Sequence, residues 1–426
     1  MLGRKIAANT LYQIITKLFT SASGFLITIL IARYLGTQGY GQYTKITAFV
    51  SMFYLIADFG LNAIFLQLNQ KEALLRRLLA LRLFISILIV IFVNLLIWLL
   101  PHNSTKDIGF SPSLHIGSFI FSLTIIFQAL ILSAAAIFQK KLRYDLYMYS
   151  VIAGAFLTLA LIFLSSIAHA PLEYILLSYV LGGSLTALVS LAFLKEKITP
   201  LKIDLKFSKQ LLKASLPLGL MLFFNLVYFR IDTIILSFYK NTTDVALYGY
   251  AYKYFEFLLA IPLFLSNAVY PFLLRSLKNL RRNYQFSQKY LLIFLLLSLL
   301  ILIPAWFLAP IIAIVKQDFL PSVFIFRILL LSLPIFFLTN ILQWILIAKN
   351  KKTYLLKIYM AGAITNIALN FIFIPKYGYI AAAIITAVSE ILILILLLTK
   401  FLSLKSQETM LEKFTNHGKN YDKQKQ

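Results

Sequence analysis

The chain has 426 residues, 61% of them hydrophobic and only 13% charged, with a formal net charge of +25. Soluble proteins carry about 25% charged residues, so this composition excludes a soluble globular domain and points to an integral membrane protein. Cysteine is absent, which excludes disulfides, thiolate chemistry and cysteine metal sites.

The basic start, Met1-Leu2-Gly3-Arg4-Lys5, runs into an apolar stretch that reaches Tyr34 without a small-residue cleavage site. We read it as an uncleaved first span. Twelve spans are predicted, at about 10–34, 40–66, 79–100, 115–138, 146–168, 172–194, 213–239, 245–273, 289–312, 322–348, 355–375 and 378–402. A transmembrane β-barrel would show short alternating segments with polar inward positions. Leu83–Leu100 and Tyr290–Pro304 are apolar all round, which excludes it. The fold class is therefore all-α and polytopic.

Lys and Arg fall mainly in alternate loops. One side collects Arg4 and Lys5, Lys71 to Arg77, Lys140 to Arg143, Lys195 to Lys213, Arg275 to Lys289, Lys349 to Lys357 and the tail. The other keeps only Lys106, Lys240, Lys316 and Lys376. The positive-inside rule then places both termini in the cytoplasm. It also explains the positive charge without nucleic acid as a partner.

The longest polar-rich connection, 195–212, divides the chain into an N-terminal lobe of six spans, 1–194, and a C-terminal lobe of six, 213–402. Leu201, Ile203, Leu205, Phe207, Leu211 and Leu212 alternate there with Lys202, Asp204, Lys206, Lys209 and Lys213. That pattern fits either an amphipathic segment lying on the inner surface or a solvated linker. Residues 403–426 form a polar cytoplasmic tail, expected to be disordered.

The halves echo each other. Tyr40-Gly41-Gln42-Tyr43-Thr44-Lys45 matches Tyr248-Gly249-Tyr250-Ala251-Tyr252-Lys253 in Tyr, Gly and Lys. Gln139-Lys140-Lys141 and Asn350-Lys351-Lys352 recur at nearly the same offset. Two parallel copies of six spans would be related by an axis along the membrane normal.

No catalytic constellation is present. The acids in or near spans, Asp58, Glu173, Asp232, Glu256 and Glu390, are widely separated. The histidines form no H-x-x-x-H pair, and no G-x-x-x-x-G-K-[ST] loop occurs. No cofactor is expected.

The ionisable residues at membrane depth are the candidate site, because a charge there costs about 2.5–3.5 kcal/mol on insertion scales. Arg230 and Asp232 are two apart and face different sides of their helix. Asp232 is expected to hold Arg230 or Lys253. Lys253 and Glu256, three apart, either neutralise each other or belong to a net-cationic cavity wall. Lys45, the counterpart of Lys253, either faces that cavity or snorkels to the outer surface. Lys17, in the inner part of the first span, is ambiguous. Arg33, Arg82 and Arg327 are expected to snorkel, and Asp58 to bond Arg76 and Arg77. Pro217, Pro262, Pro304 and Pro334 fall in spans as hinges or static kinks. Tyr248, Tyr250, Tyr252 and Tyr254 read as interfacial aromatics, with sugar stacking as the sharper alternative.

These signatures together resemble the Wzx-type oligosaccharide flippases of the multidrug/oligosaccharidyl-lipid/polysaccharide exporter superfamily. The resemblance rests on Ile31-Ala32-Arg33-Tyr34-Leu35-Gly36, Gly39-Tyr40-Gly41-Gln42-Tyr43, Asp58-Phe59-Gly60-Leu61 and Ser215-Leu216-Pro217. It continues with Arg230-Ile231-Asp232, Val245-Ala246-Leu247-Tyr248-Gly249, Tyr252-Lys253, Ile374-Pro375-Lys376-Tyr377-Gly378 and Ala381-Ala382-Ala383. It implies two six-helix lobes around a central cavity in a bacterial inner membrane. The cargo it implies is an oligosaccharide on an undecaprenyl-type pyrophosphate, flipped to the outer leaflet by alternating access. Arg230, Lys253, Lys45 and Lys17 would supply the cationic route, with Asp232, Glu256 and Asp58 balancing charge. Its partners would be membrane lipids, with a polysaccharide polymerase and glycosyltransferases beside it. The runner-up is a multidrug–cation antiporter of the same superfamily, which favours an acidic site in the first or seventh span; the first has none. A lipid II flippase resembles a fourteen-helix plan, two spans more than predicted here.

Overall fold

The computed structural model describes residues 2–67, 74–194, 203–277 and 280–423. Lys71, Lys195, Lys197, Lys202, Lys278 and residues 195–202 of the expected linker lie outside them. In chain order the helices are α1 (Leu2–Asp58), α2 (Leu61–Gln67), α3 (Leu75–Leu99), α4 (Ser113–Ser122), α5 (Thr124–Lys140), α6 (Tyr144–Ile167) and α7 (Leu172–Leu194). They continue as α8 (Leu205–Tyr239), α9 (Thr242–Ser276), α10 (Leu280–Leu308), α11 (Leu320–Leu331), α12 (Leu333–Ala348) and α13 (Lys352–Lys423). One two-stranded hairpin, β1 (His102–Asn103) with β2 (Ile108–Gly109), interrupts them. Hydrocarbon offers no partner for backbone N–H and C=O groups, so apolar runs of this length close their hydrogen bonds within helices.

Among the described residues, nine helical stretches are long and apolar enough to cross a membrane, and the pair α11–α12, bent by 41°, makes ten. Two of the nine are too long for one crossing. Ala8–Leu66 has 59 residues and Lys352–Ser406 has 55. At about 1.5 Å per residue, each exceeds twice a hydrocarbon core of about 30 Å. Each also breaks at a glycine in left-handed backbone, Gly36 (φ 65°) and Gly378 (φ 59°).

Two sequence expectations are corrected. Residues 205–212 are not a separate surface helix; they are the first turns of α8, whose 35 residues outrun the bilayer. Phe207 and Leu211 pack inward there on Leu61, Phe65, Leu75 and Phe138, while Lys206 and Lys209 stay exposed. The tail is helical through Lys423 rather than disordered, and it is free of proline. Pro334 stands at a kink, as expected: it follows the break where α11 and α12 bend by 41°, in the first turn of α12, where its missing N–H interrupts no helical bond. Pro217, Pro262 and Pro304 do lie within α8, α9 and α10.

By packing, the chain falls into two compact units that divide it differently from the sequence lobes. The first holds Met1–Tyr254, Pro310–Ile325 and Ile367–Ala382. Its tightest seam lies between α6 and α7. A Cβ on Gly154 would come within 1.8 Å of the Thr186 hydroxyl oxygen, and one on Gly182 within 1.8 Å of that of Thr158. Small residues let membrane helices approach in this way. The second unit holds Phe255–Ala309, Phe326–Asn366 and Ala383–Gln426. Within it, Glu390 accepts from Thr339, and Asn366 donates to Ser389 at 3.2 Å.

Candidate functional site

The two echoed segments meet inside the first unit, and their repeated glycines are the points of approach. A Cβ on Gly41 would lie 2.1 Å from the Thr242 carbonyl oxygen, and one on Gly249 would lie 2.5 Å from the Thr44 methyl. Each half contributes the bare backbone against which a threonine of the other packs. Tyr40 and Tyr250 cross edge to face at 5.5 Å, and both pack on Phe319. The Tyr250 hydroxyl donates to the Ile312 carbonyl at 3.1 Å. Tyr248, Tyr250 and Tyr252 are thus buried packing residues. This corrects the interfacial-aromatic reading.

Lys45 sits at this junction, 1% exposed. Its Nζ donates to the carbonyls of Asp107 (3.3 Å) and Gly109 (3.0 Å) and to the Thr242 hydroxyl (2.7 Å). Ile108 also forms a bridge to Asn241. One ammonium therefore ties α1, the hairpin and the start of α9 together. A buried cation needs such a cage. Lys45 neither snorkels nor faces an open cavity.

Asp232 is 2% exposed and accepts from the Tyr248 hydroxyl and from the backbone N–H (2.6 Å) and hydroxyl (3.2 Å) of Thr233. Its chief partners are neutral donors, not the cations expected from sequence. Arg230 lies close enough to act on it electrostatically. Arg230 on α8 and Lys253 on α9 are half-buried, and so is Glu256, which belongs to the second unit. Lys17 and Arg33 are exposed on α1.

Asp58 does balance a charge, but with a different partner. Arg82 is fully buried; its Nη2 lies 2.8 Å from Asp58 and its Nη1 3.3 Å from the Ser133 hydroxyl. Snorkelling is ruled out because Arg82 points into the helix bundle, where only an acid offsets its desolvation. Arg77 pairs with Asp204 instead, at 2.6 Å. Asp204 caps α8 by accepting from the Phe207 N–H at 3.0 Å, and that bond holds its carboxyl below the usual carboxylate range. In the second unit, Arg327 stacks over Trp306 at 5.4 Å, which the sequence did not suggest.

A feature missed in the sequence is a cavity of about 370 Å³ within the first unit, lined by α1, α5, α6 and α7. Its walls combine hydroxyl, amide and aromatic groups with apolar side chains. The only sequence trace was the spacing of small polar residues, such as Thr20-x-x-Ser23-Gly24 and Gly154-x-x-x-Thr158, inside apolar spans.

The family profile described as polysaccharide biosynthesis protein matches residues 3–277, and the MatE profile matches 217–372. No curated protein sequence matches the chain. Among solved structures, the fold is similar to that of the lipid II flippase MurJ in an inward closed conformation. That match has a TM-score of 0.76 and 19% identity, over 92% of this chain and 87% of that one. An inward-facing multidrug resistance MATE family transporter matches with a TM-score of 0.70 and 12% identity, over 93% and 96% of the two chains. A transporter of the same superfamily from Pyrococcus furiosus gives 0.60 and 13%, over 94% and 96%. With nearly two thirds of its length matched by one profile, this multi-pass membrane chain belongs to the polysaccharide biosynthesis protein family, and its fold is shared with MurJ and MATE proteins.

Proposed function

We propose that the protein is a flippase for a polyprenyl-pyrophosphate-linked oligosaccharide, moving it from the cytoplasmic to the outer leaflet of a bacterial inner membrane for surface polysaccharide assembly. The observation that carries this reading is the retention of Arg230 and Lys253, half-buried, on consecutive apolar helices α8 and α9. Hydrocarbon disfavours such cations unless protein, water or a ligand offsets them. A pyrophosphate headgroup is the anion a lipid-linked sugar presents, and a guanidinium can grip it through two bonds. Lys17, exposed on α1, is a further contact on the same route. Both termini lie in the cytoplasm, and transport proceeds by alternating access. Glycosyltransferases and a polymerase act before and after it.

The multidrug–cation antiporter ranks second. It needs an accessible carboxylate at membrane depth, whereas Asp58 is paired with Arg82 and Asp232 is buried against Tyr248 and Thr233. Deleting the gene is the test. Loss of a surface glycan with accumulation of its lipid-linked precursor supports the flippase; an unchanged glycan with new drug sensitivity transfers the case to the antiporter.

A further inference from the structure

The cavity in the first unit sets polar and aromatic groups among apolar ones such as Ile27, Ile131 and Val151. Thr20 and Ser23 of α1 and Gln128 of α5 supply hydroxyl and amide groups, and Tyr54, Tyr147 and Tyr179 supply rings with polar tips. Among the described residues, none that lines it carries a charge. Two of the tyrosines are fixed from behind: Tyr54 shares a hydrogen bond with Thr124, and Tyr179 with Tyr43 at 2.6 Å. Their rings are therefore held in place before any ligand arrives. Its volume of about 370 Å³ falls within the range of small-molecule sites, about 300–1,000 Å³. Glycine keeps it open. A Cβ on Gly24 would meet nothing within 4 Å, and one on Gly183 would meet only Phe127, at 3.7 Å.

This wall discriminates among ligands. An organic cation would find no carboxylate in it, and a pyrophosphate would find no ammonium or guanidinium. The lining threonines already donate to carbonyls of their own helices, but a lipid chain would leave the Ser23 hydroxyl and the Gln128 amide facing hydrocarbon, which is costly. A pyranose ring presents hydroxyls around its edge and C–H faces above and below. It matches a wall that offers hydroxyls, an amide and rigid aromatic faces.

We propose that this cavity is a saccharide subsite, taking an uncharged sugar unit of the lipid-linked cargo while the pyrophosphate is bound elsewhere. The inference rests on the flippase reading. It adds that sugar and phosphate are recognised on separate surfaces, the sugar by helices of the N-terminal half.

The native chain has no cysteine, so a single Gly24→Cys thiol reports on the cavity. Its reaction with N-ethylmaleimide is followed in membrane vesicles of two kinds. One kind comes from cells lacking the polymerase, loaded with the complete lipid-linked oligosaccharide; the other comes from cells lacking the first glycosyltransferase, which hold the bare lipid carrier. The expected result is labelling slowed several-fold in the first vesicles and not in the second. Equal protection in both, or in neither, overturns the subsite. A second arm uses Gly24→Leu, which fills the cavity, beside Gly24→Ala, which barely does. At wild-type protein level, Gly24→Leu is expected to lose most surface glycan and Gly24→Ala to keep it; normal export by Gly24→Leu overturns the proposal. Failure of the flippase reading looks different, because the gene deletion itself would then leave the surface glycan unchanged.

Discussion

The Lys45 ammonium lies 2.7 Å from the Thr242 hydroxyl, joining residues that stand 197 positions apart in the chain. The same ammonium also reaches two hairpin carbonyls. Three segments that the sequence assigns to the outer side are thereby pinned at one charged atom. The contact holds the helices closed where Gly41 meets Thr242 and Gly249 meets Thr44.

Lys45→Met removes the charge and keeps the length. The carbonyls of Asp107 and Gly109 then lose a charged donor, and the outer junction should loosen. Thr44→Cys, buried against Gly249, is the reporter. We expect an impermeant maleimide added outside to label it several-fold faster in the Lys45→Met background. Unchanged labelling would show that the cage is not a seal.

The Asp58–Arg82 pair predicts an asymmetry. Asp58→Asn strands a guanidinium whose side chain is 0% exposed and whose Nε already finds no acceptor among the described residues. Arg82→Leu strands a carboxylate that is 25% exposed and can find water. Breaking a buried pair costs about 3–5 kcal/mol, mostly through the orphaned charge. Asp58→Asn should therefore lower the melting temperature more than Arg82→Leu, and adding Arg82→Leu to Asp58→Asn should recover part of the loss. Equal effects of the two single substitutions would contradict this account.

Span positions were legible in the sequence because the 18-residue apolar run and the loop lysines are strong one-dimensional signals. Even the kinks fall at predicted span boundaries, Gly36 between two spans and Gly378 at the start of the last. Pairing was not legible. Asp58 has three arginines within reach in sequence, Arg76, Arg77 and Arg82, and only the facing of α3 decides that Arg82 points inward. Lys45 looked like a cavity cation because its partners are backbone carbonyls of a hairpin, which have no side-chain signature. The cavity in α1, α5, α6 and α7 was invisible for a related reason. Its polar groups are single Thr, Ser and Tyr residues scattered over four helices, each an ordinary occupant of an apolar span.

Orientation can be tested with single cysteines in the cysteine-free chain. Lys106 and Lys351 are both exposed, one after the hairpin's first strand and one between α12 and α13. The loop charge bias places them on opposite sides. Lys106→Cys should react with an impermeant maleimide in intact cells, and Lys351→Cys only after permeabilisation. The reverse pattern would invert the protein in the membrane.

The cationic route yields the last prediction. Arg230 and Lys253 lie about three helical turns from the α8–α9 turn on either side of it, while Asp232, between them in sequence, has its carboxylate engaged by Tyr248 and Thr233. Asp232 therefore serves chiefly as a structural acceptor, and Asp232→Ala should lower protein level by leaving the buried Tyr248 hydroxyl without its acceptor. The cations should behave in the opposite way. Their side chains are half-buried, so Arg230→Ala and Lys253→Ala are expected to insert near normally yet export less glycan. Arg230→Lys should rescue only in part, because an ammonium cannot make the paired contacts a guanidinium makes with a phosphate. Full glycan export by the Arg230→Ala, Lys253→Ala double variant, at matched protein level, would remove these residues from the transport route and leave them as parts of the helix packing.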